Sequence, residues 1–202
     1  MYNLITDFKL FETKQIPFYP PKIENTMNFW HGGNLDEYKQ SISHKKGRFE
    51  YGAGLYLTDS YEVVQKYAKG NRKLYLITVE KGNEINDCYL DYNNCIKFIN
   101  EYVIKNKKAL LLSRLEPHFK DNKIDASVFN NMILNTEAIR ASDTEYLRDF
   151  LLDNDIDYEL TGNIGGWHGN MMILYNMSKI IETKRITKDD KIMEFELKNN
   201  YK

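Results

Sequence analysis

The eight residues Lys73–Glu80 carry apolar side chains on both of their alternating faces. Leu74, Leu76 and Thr78 fall on one side of an extended chain, and Tyr75, Ile77 and Val79 on the other. A strand that is apolar on both faces must be covered on both. The segment therefore predicts a central, largely buried strand, which Gly82 and Asn83 close.

Around this strand the periodicity changes. Residues 1–26 hold Pro17, Pro20 and Pro21 and read as a short element followed by an extended arm. Residues 27–30 form an apolar run ending at His31-Gly32-Gly33, which predicts a strand entering a tight turn. A short helix is expected over residues 35–42 and a polar loop over 43–49. Residues 51–58, Tyr-Gly-Ala-Gly-Leu-Tyr-Leu-Thr, predict a small-residue turn and a brief strand. Asp59, three residues before Glu62, has capping-box spacing, so a helix is expected from there to Gly70.

The middle of the chain is different. Cys95, Ile96, Ile99, Tyr102 and Val103 recur at helical spacing, as do Tyr146, Phe150 and Leu151. Between them lie apolar segments at 109–115, stopped by Pro117, and at 128–134. Strand signals return at 171–175, behind the glycine-rich stretch 162–169. They recur at 191–198, where Met193, Phe195 and Leu197 alternate with Glu194 and Glu196. Strands at both ends with helices between them predict one α+β domain over residues 1–202, with a helical segment at about 94–155.

Composition narrows the function classes. With 202 residues the chain is long enough for one domain with a real core, and 42% hydrophobic and 28% charged residues are ordinary for a soluble protein. No run approaches the roughly 20 apolar residues of a membrane span, and the first residues have neither a basic leader nor an apolar region. A cytoplasmic protein without membrane contact is expected. Cys88 and Cys95 are too few for a disulfide framework or a zinc site, so no metal is expected. The net charge of −1 does not announce a nucleic-acid binder. Basic clusters occur at Lys45, Lys46 and Arg48, at Lys66, Lys69, Arg72 and Lys73, and at Lys105, Lys107 and Lys108. They read as solvated faces or as a basic rim for a phosphate-bearing partner.

One set of motifs carries chemistry. It consists of Phe29-Trp30-His31-Gly32-Gly33, then Tyr51-Gly52-Ala53-Gly54-Leu55-Tyr56, then Val64 and, eleven residues after Tyr56, Tyr67. Together these resemble the ADP-ribosyltransferases of the diphtheria-toxin and poly(ADP-ribose) polymerase type. The likeness covers residues 27–86 well and 170–182 in part; the helical middle lies outside it. It implies a split, clamp-like β core, NAD⁺ as donor substrate, and His31 and Tyr56 as catalytic residues. It places the nicotinamide between Tyr56 and Tyr67, its carboxamide on Gly32, and the adenosine ribose on His31.

Physical chemistry makes sense of these types. A flat cationic ring can be held between two aromatic faces, at about 0.5–2 kcal/mol per face. A glycine after His31 leaves its backbone N–H and C=O open to a planar amide, and Gly52 and Gly54 let the backbone approach a ligand closely.

The third family element is a glutamate ahead of a late strand. Counting back from Tyr175 puts Met171 there, and a thioether can neither bond a ribose hydroxyl nor offset cationic charge. Either the enzyme manages without this carboxylate, or the register slips and brings Asn170 or His168 into the site. Asp157, Glu159 and Glu50 are further carboxylates, and spacing favours none of them. His44 and His118 have no supporting neighbours.

The function expected is mono-ADP-ribosylation of a macromolecular acceptor, protein or nucleic acid, by a bacterial or phage toxin or effector. Such a protein is expected to have an antitoxin or inhibitor partner. The alternatives are an NAD⁺ glycohydrolase and a catalytically inactive module that binds NAD⁺ or ADP-ribose. An RNA 2′-phosphotransferase would need an arginine- and histidine-rich phosphate site that the sequence lacks.

Overall fold

Eight short strands and five helices alternate along the part of the chain that the structure, a computed structural model, describes: residues 23–33, 35, 52–67, 73–161 and 170–186. The strands are β1 (Thr26–Gly33), β2 (Leu55–Thr58), β3 (Lys73–Glu80), β4 (Tyr89–Asp91), β5 (Lys123–Asp125), β6 (Tyr158–Thr161), β7 (Met171–Leu174) and β8 (Ile180–Ile186). Six of them form one antiparallel sheet in the order β6-β7-β2-β1-β3-β8, while β4 and β5 make a separate two-stranded ribbon. The fold is mixed α+β.

β3 lies between β1 and β8, as its two apolar faces require, and Tyr75, Leu76, Ile77 and Val79 are all buried. The segment at 191–198, the helix at 35–42 beyond Leu35, the loop at 43–49 and the arm up to residue 22 lie outside the described residues. The expected helix end at Gly70 lies outside them too.

The helical middle contains α2 (Tyr92–Tyr102), α3 (Lys108–Leu115), α4 (Ala126–Asn135) and α5 (Thr144–Asp153); α1 (Tyr61–Tyr67) comes earlier, after β2. Each of the four buries one stripe, for instance Cys95, Phe98 and Ile99 on α2, and Phe129 and Ile133 on α4. These stripes meet in a single core that also takes in Ile173 and Tyr175. The helical segment is thus packed on one face of the sheet. Leu55, Leu57, Met172, Leu174, Tyr158 and Leu160 fill a second core on the other face, together with Phe29, Tyr75 and Ile77.

The sheet is not uniform. β1 and β3 are registered over eight residue pairs, and β2 and β7 over four. Between β1 and β2 there is a single pair, Trp30↔Thr58. The sheet therefore divides into two three-stranded halves, β6-β7-β2 and β1-β3-β8, that part immediately after Trp30.

Candidate functional site

The seam between the two halves brings the sequence motifs together. Past Trp30, His31, Gly32 and Gly33 pair with Tyr75, Leu74 and Lys73 of β3, while Tyr56 and Leu55 pair with Ile173 and Leu174 of β7. What crosses the gap is a side chain. His31 Nδ1 lies 3.0 Å from the carbonyl oxygen of Tyr56, and since a carbonyl only accepts, Nδ1 carries the hydrogen. Burial holds the His31 pKa below its ordinary 6.5, against the opposing pull of this hydrogen bond. The ring is therefore neutral near pH 7, with Nε2 in its acceptor form.

Tyr56 is held by its own turn. Its hydroxyl donates to the carbonyl of Gly52 at 2.6 Å, and its half-buried ring packs against the core of the helical segment. Gly52 has φ +84°, a left-handed conformation that glycine adopts without strain. A Cβ on Gly54 would stand 2.6 Å from Ile173 Cγ2, so this glycine is required by the close approach of β7. Strand packing accounts for it without a ligand.

Helix α1 lies over the other side of β1. Val64 and Tyr61 pack on Trp30, with the Trp30 and Tyr61 ring centroids 5.3 Å apart, and Leu76 completes the cluster. Seven residues are too few to be helical alone, so this packing and a cap must hold them. The cap is Ser60, whose Oγ accepts from the Val63 N–H at 3.3 Å. Asp59, the expected cap, is committed elsewhere. Its carboxylate accepts from the backbone N–H and the side-chain amide of Asn170, at 2.7 and 2.6 Å. Thr58 Oγ1 and the Asp59 N–H donate in turn to the Asn170 carbonyl, at 2.9 and 3.2 Å.

Asn170, a candidate for the missing acidic group, is thus a buried clamp that locks the end of β2 to the start of β7. His168 lies outside the described residues. Tyr67 closes α1, one turn beyond Val64, and its side chain is likewise outside what the structure describes. Met171 lies opposite Thr58 and Ile173 opposite Tyr56, so Met171 stands on the same face of the sheet as Tyr56, and like Tyr56 it packs against the core of the helical segment.

Two of the carboxylates that spacing left undistinguished are buried. Asp157 accepts from the Asn83 N–H at 2.8 Å and the Asn176 amide at 2.7 Å, pinning the turn after β3. Glu159 on β6 lies opposite Ile173, hence on the Tyr56 face as well. Its Oε2 accepts from Asn130 Nδ2 of α4 at 3.0 Å and from the Tyr175 hydroxyl at 2.9 Å. Burial pushes its pKa up to about 7, against the two hydrogen bonds, and Glu84 adds to the rise. No sequence pattern marks this residue; a charge inside a four-residue strand reads as a loop.

The basic rim is only partly within view. Lys107 Nζ donates to the carbonyls of Thr136 and Glu137, at 3.0 and 2.7 Å, and Lys108 Nζ to that of Asn100 at 2.6 Å. These two lysines cap helix ends. Lys45, Lys46, Arg48, Lys69 and Arg72 lie outside the described residues. Cys95 is buried and its thiol is pushed up to about 12, an inert group. Among the described residues there is no group of three or more metal-ligating side chains, and no helix long and apolar enough to cross a membrane.

Compared with family models, with curated proteins and with solved structures, the chain matches none.

Proposed function

We propose that the protein is an NAD⁺-consuming mono-ADP-ribosyltransferase with an ADP-ribosyltransferase-type split sheet. The observation that carries this reading is the contact between His31 Nδ1 and the Tyr56 carbonyl. It joins the two motifs, 25 residues apart in sequence, at the point where β1 and β2 part. A split sheet with its two motif strands flanking the split is what the resemblance implies.

In this reading the parted strands form the nicotinamide end of the site. Gly32 offers a backbone N–H and C=O to the carboxamide without a side chain in the way. The Tyr56 ring stacks on the nicotinamide, and the resemblance assigns Tyr67 as the second ring. Neutral His31, with its hydrogen on Nδ1, presents Nε2 as acceptor for a ribose hydroxyl. The bond from ribose C1′ to the nicotinamide nitrogen breaks, and nicotinamide leaves with the electron pair. The acceptor nucleophile bonds to C1′ and gives up its proton to solvent water.

Met171 limits the outcome. Extending a chain requires activation of a ribose hydroxyl on the attached unit, which a thioether on the Tyr56 face cannot perform. The product is a single ADP-ribose on each acceptor site. The test is incubation with NAD⁺ labelled in the adenylate moiety and cell lysate, followed by protease or nuclease digestion and mass spectrometry. One label per modified site supports the reading, and a ladder of additions contradicts it. The absence of a carboxylate at position 171 also favours a second reading, an inactive NAD⁺-binding module, which predicts binding without release of nicotinamide.

A further inference from the structure

Glu159 is 6% exposed, and among the described residues no lysine or arginine is paired with it. Both of its hydrogen-bond partners lead to one place. Tyr175, which donates its hydroxyl to Oε2, sets its ring edge, Cδ1, 3.4 Å from where a Cβ on Gly54 would stand. Asn130, the other donor, lies one turn before Leu134 on α4, and the Leu134 methyls are 3.6 and 3.7 Å from the corresponding point on Gly52. Gly52 is the residue whose carbonyl takes the Tyr56 hydroxyl.

We infer that Glu159 is the positioning residue of the Tyr56 turn: its carboxylate gathers Asn130 and Tyr175, and through them seats residues 52–54, on which the Tyr56 ring is held. The inference rests on the reading of Tyr56 as an NAD⁺-site residue only for its consequence in binding. A glutamine would satisfy the same two donors with less desolvation cost. What a carboxylate adds is a grip that varies with its charge, because an ionised acceptor holds N–H and O–H donors more strongly than a neutral one. The groups that bear on its charge are Glu84, from the loop after β3, and the Tyr175 phenol. Tyr56 in turn acts on Tyr175. The Glu84 carboxylate is occupied with the Leu160 N–H and the Asn86 amide. Ionisation strengthens these two hydrogen bonds and so the hold on the turn, although the buried charge lowers the stability of the fold as a whole; protonation weakens the two bonds and loosens the turn. The Tyr56 site is therefore firm above neutral pH and slack below, with the helical segment as the lever.

The test uses the full chain with ring-¹³C tyrosine, its Tyr56 and Tyr175 signals assigned through Tyr56→Phe and Tyr175→Phe. Between about pH 5.5 and about pH 8.5 both signals move together, with a midpoint of about 7. In Glu159→Gln, which keeps an acceptor oxygen for both donors, the movement of both is lost. Calorimetry finds NAD⁺ bound at least roughly threefold tighter at about pH 8 than at about pH 6 by the wild type, and with that ratio reduced in Glu159→Gln, in which His31 alone of the two buried groups still titrates. Should Glu159→Gln fail to fold, Tyr175→Phe serves instead: removing one donor raises the midpoint seen at Tyr56. The inference is overturned if the Tyr56 signal stays still while Tyr175 titrates, or if it still titrates in folded Glu159→Gln. Linked tyrosine titration without any NAD⁺ binding upholds the positioning role and overturns the proposed function instead.

Discussion

His31 Nδ1 stands 3.0 Å from the carbonyl oxygen of Tyr56, so a side chain supplies the contact that the backbones of β1 and β2 give up beyond Trp30 and Thr58. The same atom fixes the imidazole tautomer and ties the two motifs together. His31→Ala is expected to lower nicotinamide release at least about tenfold, and to cost about 1–2 kcal/mol of stability through the lost hydrogen bond. Release assays and thermal melts on one preparation check both. Full activity in a normally melting variant contradicts the assignment.

Two buried groups give stability opposite pH dependences. His31 is held below its ordinary 6.5, so it contributes stability above that pH that is lost as the pH falls through its folded value. Glu159 is raised from 4.5 to about 7, so its contribution is present below pH 4.5 and is lost as the pH rises to about 7. The loss amounts to about 3 kcal/mol. Glu159→Gln is expected to remove that second loss, leaving a protein more stable than the wild type above neutral pH but matching it under acid conditions. Denaturant melts across the range measure this directly.

Asn170 is expected to behave as a structural residue. Asn170→Ala removes the amide bond to the buried Asp59 and is expected to cost about 1–3 kcal/mol. Met171→Leu, a volume-conserving change, is expected to cost less than about 1.5 kcal/mol. Correcting for the folded fraction should restore the specific activity of Asn170→Ala. A folded variant that has lost activity would return Asn170 to the chemistry.

Several elements were legible because their residues repeat a pattern that burial imposes. The two apolar faces of β3 announced a central strand, and the runs into β1, β2 and β7 were visible for the same reason. The spacing of Cys95, Ile99 and Val103 marked α2, although its helix starts at Tyr92 and stops at Tyr102. β8 was hidden, because Glu182, Thr183, Lys184 and Arg185 are exposed residues with no alternation. β6 was hidden by Glu159, whose partners Asn130 and Tyr175 are 29 and 16 residues away. Asp59 illustrates the same limit. Its spacing to Glu62 is that of a cap, yet a partner 111 residues distant claims it and leaves the cap to Ser60. Local spacing shows what a residue can do; long-range partners decide what it does.

Tyr67 offers a test that separates stacking from packing. Tyr67→Phe keeps the ring face and is expected to retain most NAD⁺ binding, whereas Tyr67→Ala is expected to lose about tenfold or more. Calorimetric titration at one pH distinguishes them. Equal affinity in all three folded proteins would make Tyr67 a core residue only.

The central claim is that NAD⁺ is consumed at the seam between β1 and β2. The most direct measurement is nicotinamide released from NAD⁺ per mole of protein, followed chromatographically for the wild type and for Tyr56→Ala, both verified as folded by circular dichroism. The account predicts turnover by the wild type and at least about tenfold less by Tyr56→Ala, since the aromatic face that holds the leaving ring is gone. Equal release by the two proteins, or no release by the folded wild type in the presence of lysate, would contradict it.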